Sequence, residues 1–287
     1  MENEAETTML VESLREQTQR NPDNATAWYN LGVAQGMLGA TEESIDAYRT
    51  AIQHNPAHAA AHYNLGGSLL KTGEPQKALM EFQEATKLAP EVARGFFMLG
   101  STYGALGQPD KLIEATEAGL QLEPDSARAH YNVGLACNRL GRFEEAVDYF
   151  TRLISLNGQS PLAHFELGKA YRGLNRTDEE IQAYKDAISI RGDYVDAILY
   201  LGAAFLKTKR ASADDVKYIN TGGQPCLSDP EHIFYFSLGV LAYGQKDDAI
   251  DAASSLKPSS PELFREFQEY ADAANQLTQG GPDSAEL

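Results

Sequence analysis

The chain has 287 residues, and its 24 Lys and Arg stand against 41 Asp and Glu, so the formal net charge is −17. A hydrophobic share of 43% and a charged share of 23% are typical of a folded protein and exclude wholesale disorder or a collagen-like chain. The acidic balance argues against nucleic acid and against an anionic membrane surface as partners, because both require a positive face.

Cysteine content and the first residues bear on the compartment. Two cysteines, Cys137 and Cys226, are too few for a disulfide scaffold and indicate a reducing environment. The opening segment carries Glu2, Glu4 and Glu6 and lacks the basic start and apolar stretch of a secretory signal. No window is apolar over roughly 18 residues, the length that a membrane helix needs. We therefore expect a soluble cytoplasmic protein without membrane insertion.

Residues 1–24 predict an N-terminal capping helix. The helix carries Leu10, Leu14 and Arg15 and is expected to end at Asn21 and Pro22.

A 34-residue repeat follows. Its most regular position is a glycine preceded by an apolar residue, which recurs six times without insertion at Gly32, Gly66, Gly100, Gly134, Gly168 and Gly202. Each repeat carries two apolar stripes at helical spacing, which predicts a pair of α-helices. Because glycine inside a helix costs about 1 kcal/mol relative to alanine, we expect the two helices of a pair to approach closely there.

Glycine and proline also mark the helix ends. A second glycine (Gly39, Gly73, Gly107 and Gly141) suits a left-handed turn after the first helix of the pair. Prolines at a further common position (Pro22, Pro56, Pro90 and Pro124) suit the opening turn of the next first helix.

The W-x-x-L-G pattern at Trp28 to Gly32, with its later small residue, aromatic and proline, resembles the tetratricopeptide repeat. The resemblance is strong over residues 25–202, and residues 25–210 are read as six such repeats. It implies an all-α fold, namely a right-handed α-solenoid superhelix of antiparallel helix pairs. The first helix of each pair would line most of the concave face.

The register breaks after residue 210. Residues 211–278 predict a degenerate seventh repeat at about 230–257 and a C-terminal capping helix that starts at Ser260 and Pro261. Residues 279–287 are expected to be a disordered tail. Within the repeats, Glu180 stands where the family usually has alanine, so either that helix pair is splayed or the charge reaches solvent at the side.

Residues with reactive side chains form no recognisable catalytic motif. His62, His130 and His164 share one repeat position and lie too far apart for one metal site. His58 and His62 can face each other at i and i+4, but a third ligand is missing. Neither a nucleophile motif nor a phosphate loop accompanies Cys226. We expect a protein that is not an enzyme and has no catalytic residue, metal or cofactor.

The resemblance implies that positions 2, 5, 9, 12 and 13 of each repeat, counted from Ala25, face a groove. These thirty positions hold seven basic residues and one acidic residue, although residues 25–210 as a whole hold 18 basic and 22 acidic residues. Position 5 carries an aromatic stripe, which either contacts a ligand or only packs between helices (Tyr29, Tyr63, Phe97, Tyr131 and Phe165). Position 6 carries asparagines, whose amides either bind an extended peptide backbone or bridge within the array (Asn30, Asn64 and Asn132).

These features predict a non-enzymatic scaffold for protein–protein interaction that binds an extended, partly acidic peptide. Two alternatives stay open: a structural protein that self-associates into homo-oligomers, and a regulatory subunit that recruits substrates for an enzyme on another chain. The candidate peptide-binding residues are Asn30, Asn64, Lys71, Arg94, Phe97, Arg128, Tyr131, Asn132, Arg139, Lys169 and Arg172.

Overall fold

The structure is a computed structural model that describes residues 2–208, 234, 237 and 246–279. Regular structure in this part of the chain is α-helical. The helices are α1 (Glu2–Arg20), α2 (Ala25–Met37), α3 (Thr41–His54), α4 (Ala59–Lys71), α5 (Pro75–Leu88), α6 (Ala93–Ala105), α7 (Pro109–Leu122), α8 (Ala127–Leu140), α9 (Phe143–Leu156), α10 (Pro161–Gly173), α11 (Thr177–Ile190), α12 (Val195–Thr208), α13 (Lys246–Ser254), α14 (Leu256–Ser259) and α15 (Pro261–Gln279).

The helices follow the 34-residue register. The first helices α2, α4, α6 and α8 begin at the same repeat position, and the pairs α2 and α3, α4 and α5, α6 and α7, and α10 and α11 pack as neighbours. This confirms the predicted all-α fold of consecutive helix pairs.

The chain divides into two compact units, Met1–Leu140 and Gly141–Leu287. The border falls between α8 and α9, inside the fourth repeat, at a place that the register does not mark. In the N-terminal unit, α1 packs on α2 and buries Val11 and Leu14 against Leu31. A second core cluster of this unit is centred on the buried rings of Tyr48 and Phe82.

The C-terminal unit has its own core. Tyr184, Leu201, Leu256 and Phe267 are fully buried there. Helix α15 begins at Pro261 and contributes Phe267 to this core. Residues 209–233, 235–236 and 238–245 lie outside the described residues, and they include Cys226 and much of the seventh repeat predicted at about 230–257. The tail (residues 280–287) also lies outside them.

The glycines inside the first helices make room for a side chain of the second helix. A Cβ atom added to Gly32 would lie 2.7 Å from the ring of Tyr48, and one added to Gly66 would lie 2.9 Å from the ring of Phe82. The predicted close approach is therefore confirmed at these positions, with an aromatic ring filling the space that the glycine leaves.

The predicted left-handed turns are also confirmed. Gly39, Gly73, Gly107 and Gly141 have φ angles of 75°, 79°, 70° and 73°. Asn175 takes the same repeat position with a φ of 57°. Asparagine tolerates this conformation better than most residues because its short polar side chain can bond locally.

The prediction for the prolines is wrong in detail. Pro22 and Pro56 lie in turns before the first helices and not in their opening turn. Helices of the described residues begin at Pro75, Pro109, Pro161 and Pro261, where the missing N–H costs no hydrogen bond.

Glu180 is buried, with 2% of its surface exposed. Its charge therefore does not reach solvent at the side of the helix pair. The side chain lies near Tyr184, whose pKa is raised by burial and further by the negative charge of Glu180.

Candidate functional site

Two hollows lie along the first helices of the N-terminal unit. The Gly67 hollow has a volume of about 500 Å³ and is lined by Val33, Gly36, Met37, Tyr48, Tyr63, Asn64, Gly67, Ser68, Leu70, Lys71 and Met98. The Asn132 hollow has a volume of about 550 Å³ and is lined by Ser101, Gly104, Gly107, Pro109, Leu112, Asn132, Leu135, Ala136 and Arg139. Most of these residues belong to α2, α4, α6 and α8, so the first helices supply most of the lining of both hollows.

Glycine opens the Gly67 hollow. A Cβ atom added to Gly67 would meet no atom within 4 Å, and one added to Gly36 would have its nearest neighbour, Tyr48 Oη, at 3.9 Å. These glycines thus differ from Gly66, whose missing side chain is replaced by the ring of Phe82. They leave open space that a ligand side chain can enter.

Four predicted binding cations belong to the N-terminal unit: Lys71, Arg94, Arg128 and Arg139. All four are exposed, and none forms an ion pair within the described part of the chain. The guanidinium of Arg94 lies 4.4 Å from the ring centroid of Tyr63, a cation–π contact that holds it beside the Gly67 hollow. Among the described residues that line the two hollows, Lys71 and Arg139 are the charged ones, and none carries a carboxylate.

The two predicted cations of the C-terminal unit differ from each other: Lys169 forms an ion pair, whereas Arg172 is exposed and, like Arg94, lies over a tyrosine ring. Lys169 Nζ lies 3.0 Å from Oε2 of the buried Glu166, so its charge is compensated within the protein. Arg172 lies over the ring of Tyr200, 5.0 Å from its centroid. Glu166 takes position 6 of its repeat, which the count of groove positions did not include.

The aromatic stripe divides by residue type. Tyr29, Tyr63 and Tyr131 are half-buried, whereas Phe97 and Phe165 are 9% and 7% exposed. Phe97 packs against Gly119, where an added Cβ atom would lie 2.5 Å from the ring. The phenylalanines thus pack between helices, and the tyrosines keep part of their surface open.

The three asparagines have different surroundings. Asn64 Nδ2 donates to Tyr29 Oη at 3.3 Å, which is the bridging arrangement. Asn132 is half-buried in the Asn132 hollow, and Asn30 is exposed. Burial raises the pKa of Tyr48, beneath the Gly67 hollow, to about 12.

Ring nitrogens at one repeat position bind proline carbonyls. Trp28 Nε1 donates to Pro22 O at 2.7 Å. Two histidines at the same position have Nε2 close to the carbonyl oxygen six residues earlier, at 3.0 Å for His62 and Pro56 and at 2.8 Å for His130 and Pro124. These bonds tie the turn before a first helix to that helix.

His58 and His62 do not face each other as a pair. His58 Nδ1 accepts the N–H of Ala61 at 3.2 Å and caps α4, while its ring lies 4.7 Å from that of Tyr29. His62 instead contacts Glu81 of α5, which raises the pKa of the imidazole. Among the described residues, no group of three or more His, Cys, Asp or Glu can hold a metal ion.

The sequence analysis did not select the apolar lining of the Gly67 hollow. Val33, Met37, Leu70 and Met98 contribute it. A signal was available: neighbouring first helices carry glycine at groove positions, Gly36 in α2 and Gly67 in α4.

Comparison with known proteins bears on the fold. The family model described as "Tetratricopeptide repeat" matches residues 11–53, 38–93, 97–161 and 139–195. No curated protein matches the sequence significantly. Within the described residues, no helix combines the length and apolar character needed to cross a bilayer.

Many solved structures resemble the chain. YrrB, described as a TPR protein with an unusual peptide-binding site, is 20% identical over 66% of this chain and 97% of its own, with a TM-score of 0.62. MamA is 22% identical over 59% and 92%, with a TM-score of 0.56. PilF of Pseudomonas aeruginosa is 19% identical over 86% and 98%, with a TM-score of 0.53. At these identities the likeness shows a shared fold.

Proposed function

The chain belongs to the tetratricopeptide-repeat family, and we propose that it is a non-enzymatic scaffold that binds an extended, partly acidic segment of a partner protein. The segment would lie along the first helices of the N-terminal unit. Binding would use the cations Lys71, Arg94, Arg128 and Arg139 and the amide of Asn132. Asn30, Asn64 and Tyr131 would add contacts along the same helices.

One observation carries this proposal. On a protein of net charge −17, Lys71 and Arg139 line the two hollows, and the exposed cations Arg94 and Arg128 belong to the first helices α6 and α8; none of the four forms an ion pair within the described residues. Side chains of this kind form charge-assisted hydrogen bonds to carboxylates and steer an acidic partner toward the surface. YrrB, a protein of the same fold with a peptide-binding site, supports a peptide as the ligand.

The C-terminal unit has a smaller part in the proposal. Lys169 and Arg172 remain candidate binding residues of that unit by itself, although Lys169 already contacts Glu166, and Arg172, like Arg94, lies over a tyrosine ring. Phe97 supports the site through packing. The low cysteine content supports the cytoplasm as the compartment.

Affinity capture with the full chain tests the proposal. The immobilised protein is incubated with a lysate of the source organism, and the bound proteins are identified by mass spectrometry. We expect the double variant Arg94→Glu and Arg128→Glu to lose the acidic partners while its helical circular-dichroism signal is unchanged.

A charge-matched variant is the control. Arg49 and Lys87 are exposed residues of α3 and α5, where each contacts an acidic residue of its own helix. Reversing both to Glu changes the net charge by the same amount outside the groove. Equal losses in the two double variants, or no loss in the first, would contradict the proposal.

A further inference from the structure

The Gly67 hollow combines an apolar interior with positive ends. Val33, Met37, Leu70 and Met98 supply aliphatic and thioether surface, and Gly67 leaves its floor open. Its volume of about 500 Å³ is in the range of sites that enclose organic groups, roughly 300–1,000 Å³. An acidic side chain alone would leave this apolar surface in contact with water.

Two cations flank the hollow along α4. Arg94 lies over Tyr63 near the start of that helix, and Lys71 is its last residue. Tyr63 and Lys71 are eight residues apart, which corresponds to about 12 Å at the α-helical rise of roughly 1.5 Å per residue. The apolar opening at Gly67 falls midway between them.

An extended peptide offers a matching spacing. Residues two positions before and after a given residue point to the same side as that residue. They are separated from each other by about 13 Å, since a strand rises by about 3.3 Å per residue. A large apolar side chain in the hollow would therefore place acidic side chains at positions −2 and +2 near Arg94 and Lys71.

We propose that the Gly67 hollow is an anchor site for a peptide with the pattern acidic–x–apolar–x–acidic, in which the apolar residue is large. The proposal rests on the proposed function and adds the sequence class of the ligand. The apolar residue supplies buried surface, and the two carboxylates set its position through charge-assisted bonds.

Selection from a random peptide library tests this inference. A phage-displayed library of random peptides about twelve residues long, enough to span the predicted pattern in several frames, is selected against the immobilised full chain. Enriched peptides are then synthesised, and their dissociation constants are measured by fluorescence anisotropy. We expect the enriched sequences to share a large apolar residue with Asp or Glu at −2 and +2.

Two substitutions at one residue provide the matched pair of variants. Gly67→Leu fills the hollow, whereas Gly67→Ala adds one methyl group to the same helix position and leaves most of the space. Loss of a buried large apolar side chain corresponds to about tenfold or more in affinity. We therefore expect that loss in the Leu variant and near-native binding in the Ala variant.

The possible outcomes separate the two proposals. Enriched acidic peptides that lack an apolar residue, or that bind the Leu variant as well as the native protein, would overturn the anchor site and leave the acidic groove standing. A failure to enrich any peptide would overturn both the anchor site and the acidic groove. Enriched peptides that bind the double variant Arg94→Glu and Arg128→Glu as well as they bind the native protein would also overturn both.

Discussion

His62 Nδ1 lies 2.7 Å from a carboxylate oxygen of Glu81, so a first helix is bound to the second helix of the same repeat. The other ring nitrogen of His62 lies 3.0 Å from the carbonyl oxygen of Pro56. Both neighbours are acceptors, so only the doubly protonated imidazolium can donate to each of them. The hydrogen bond to Glu81 is the largest cause of the raised pKa of His62, and the charge of Glu84 adds to it.

This geometry predicts a pH-dependent stability. Because the folded pKa of His62 lies above the usual histidine value of about 6.5, its contribution to folding is fully present below the unfolded pKa and is lost as the pH rises through the folded pKa. Thermal unfolding from about pH 6 to about pH 8.5 should show this loss in the native protein. Glu81→Gln should flatten the profile, and parallel profiles for the two proteins would contradict the prediction.

Neighbouring glycines of α4 should respond to alanine in opposite directions. Gly66→Ala would push a methyl group into the ring of the fully buried Phe82 and should destabilise the protein by about 1–3 kcal/mol. Gly67→Ala enters open space and should stabilise it by up to about 1 kcal/mol through helix propensity. Midpoints of thermal unfolding followed by circular dichroism measure both, and changes of the same sign would disagree with the packing described.

Substitutions of Lys71 and of Lys169 should differ in their effect on ligand binding. Lys71 is exposed and has no ion pair within the described residues, whereas Lys169 contacts the buried Glu166. Lys71→Ala should therefore weaken the binding of an acidic peptide more than Lys169→Ala does. It should also reduce the dependence of that binding on salt concentration. Titrations of one peptide at low and high ionic strength measure both effects, and equal losses would count against a groove centred on the N-terminal unit.

The turn at Asn175 should tolerate glycine and resist alanine. Its φ of 57° lies in the left-handed region that four glycines occupy at the same repeat position. Asn175→Ala should cost about 1 kcal/mol, because an alanine side chain cannot bond locally to offset the backbone strain. Asn175→Gly should be neutral or slightly stabilising. Unfolding in urea compares them, and equal stability of the two variants would contradict the turn conformation.

The sequence predicted features that depend on local spacing. The helix pairs and the left-handed glycines recur every 34 residues, so one repeat predicts the next. The sequence also predicted that Gly32 and its equivalents allow the two helices of a pair to approach closely. It did not show which second-helix side chain fills the space, because Tyr48 is identified only once the two helices are in contact.

Features that depend on three-dimensional neighbours were missed. Counting groove positions treated Lys169 as available, since Glu166 falls at a position outside the count. The same count grouped Phe97 with Tyr63, although the first is buried against Gly119 and the second remains partly open. The border between the two units after Leu140 could not be predicted from the sequence, because the 34-residue spacing continues through it unchanged.

The contact between glycine and ring has an evolutionary consequence. Gly32 meets Tyr48 and Gly66 meets Phe82, and each pair lies sixteen residues apart within one repeat. Duplication or deletion of a whole repeat therefore carries both partners together, and no compensating change is needed elsewhere for that contact. A point substitution at either partner must be matched by the other, so the array can change its length more readily than the interior of one repeat.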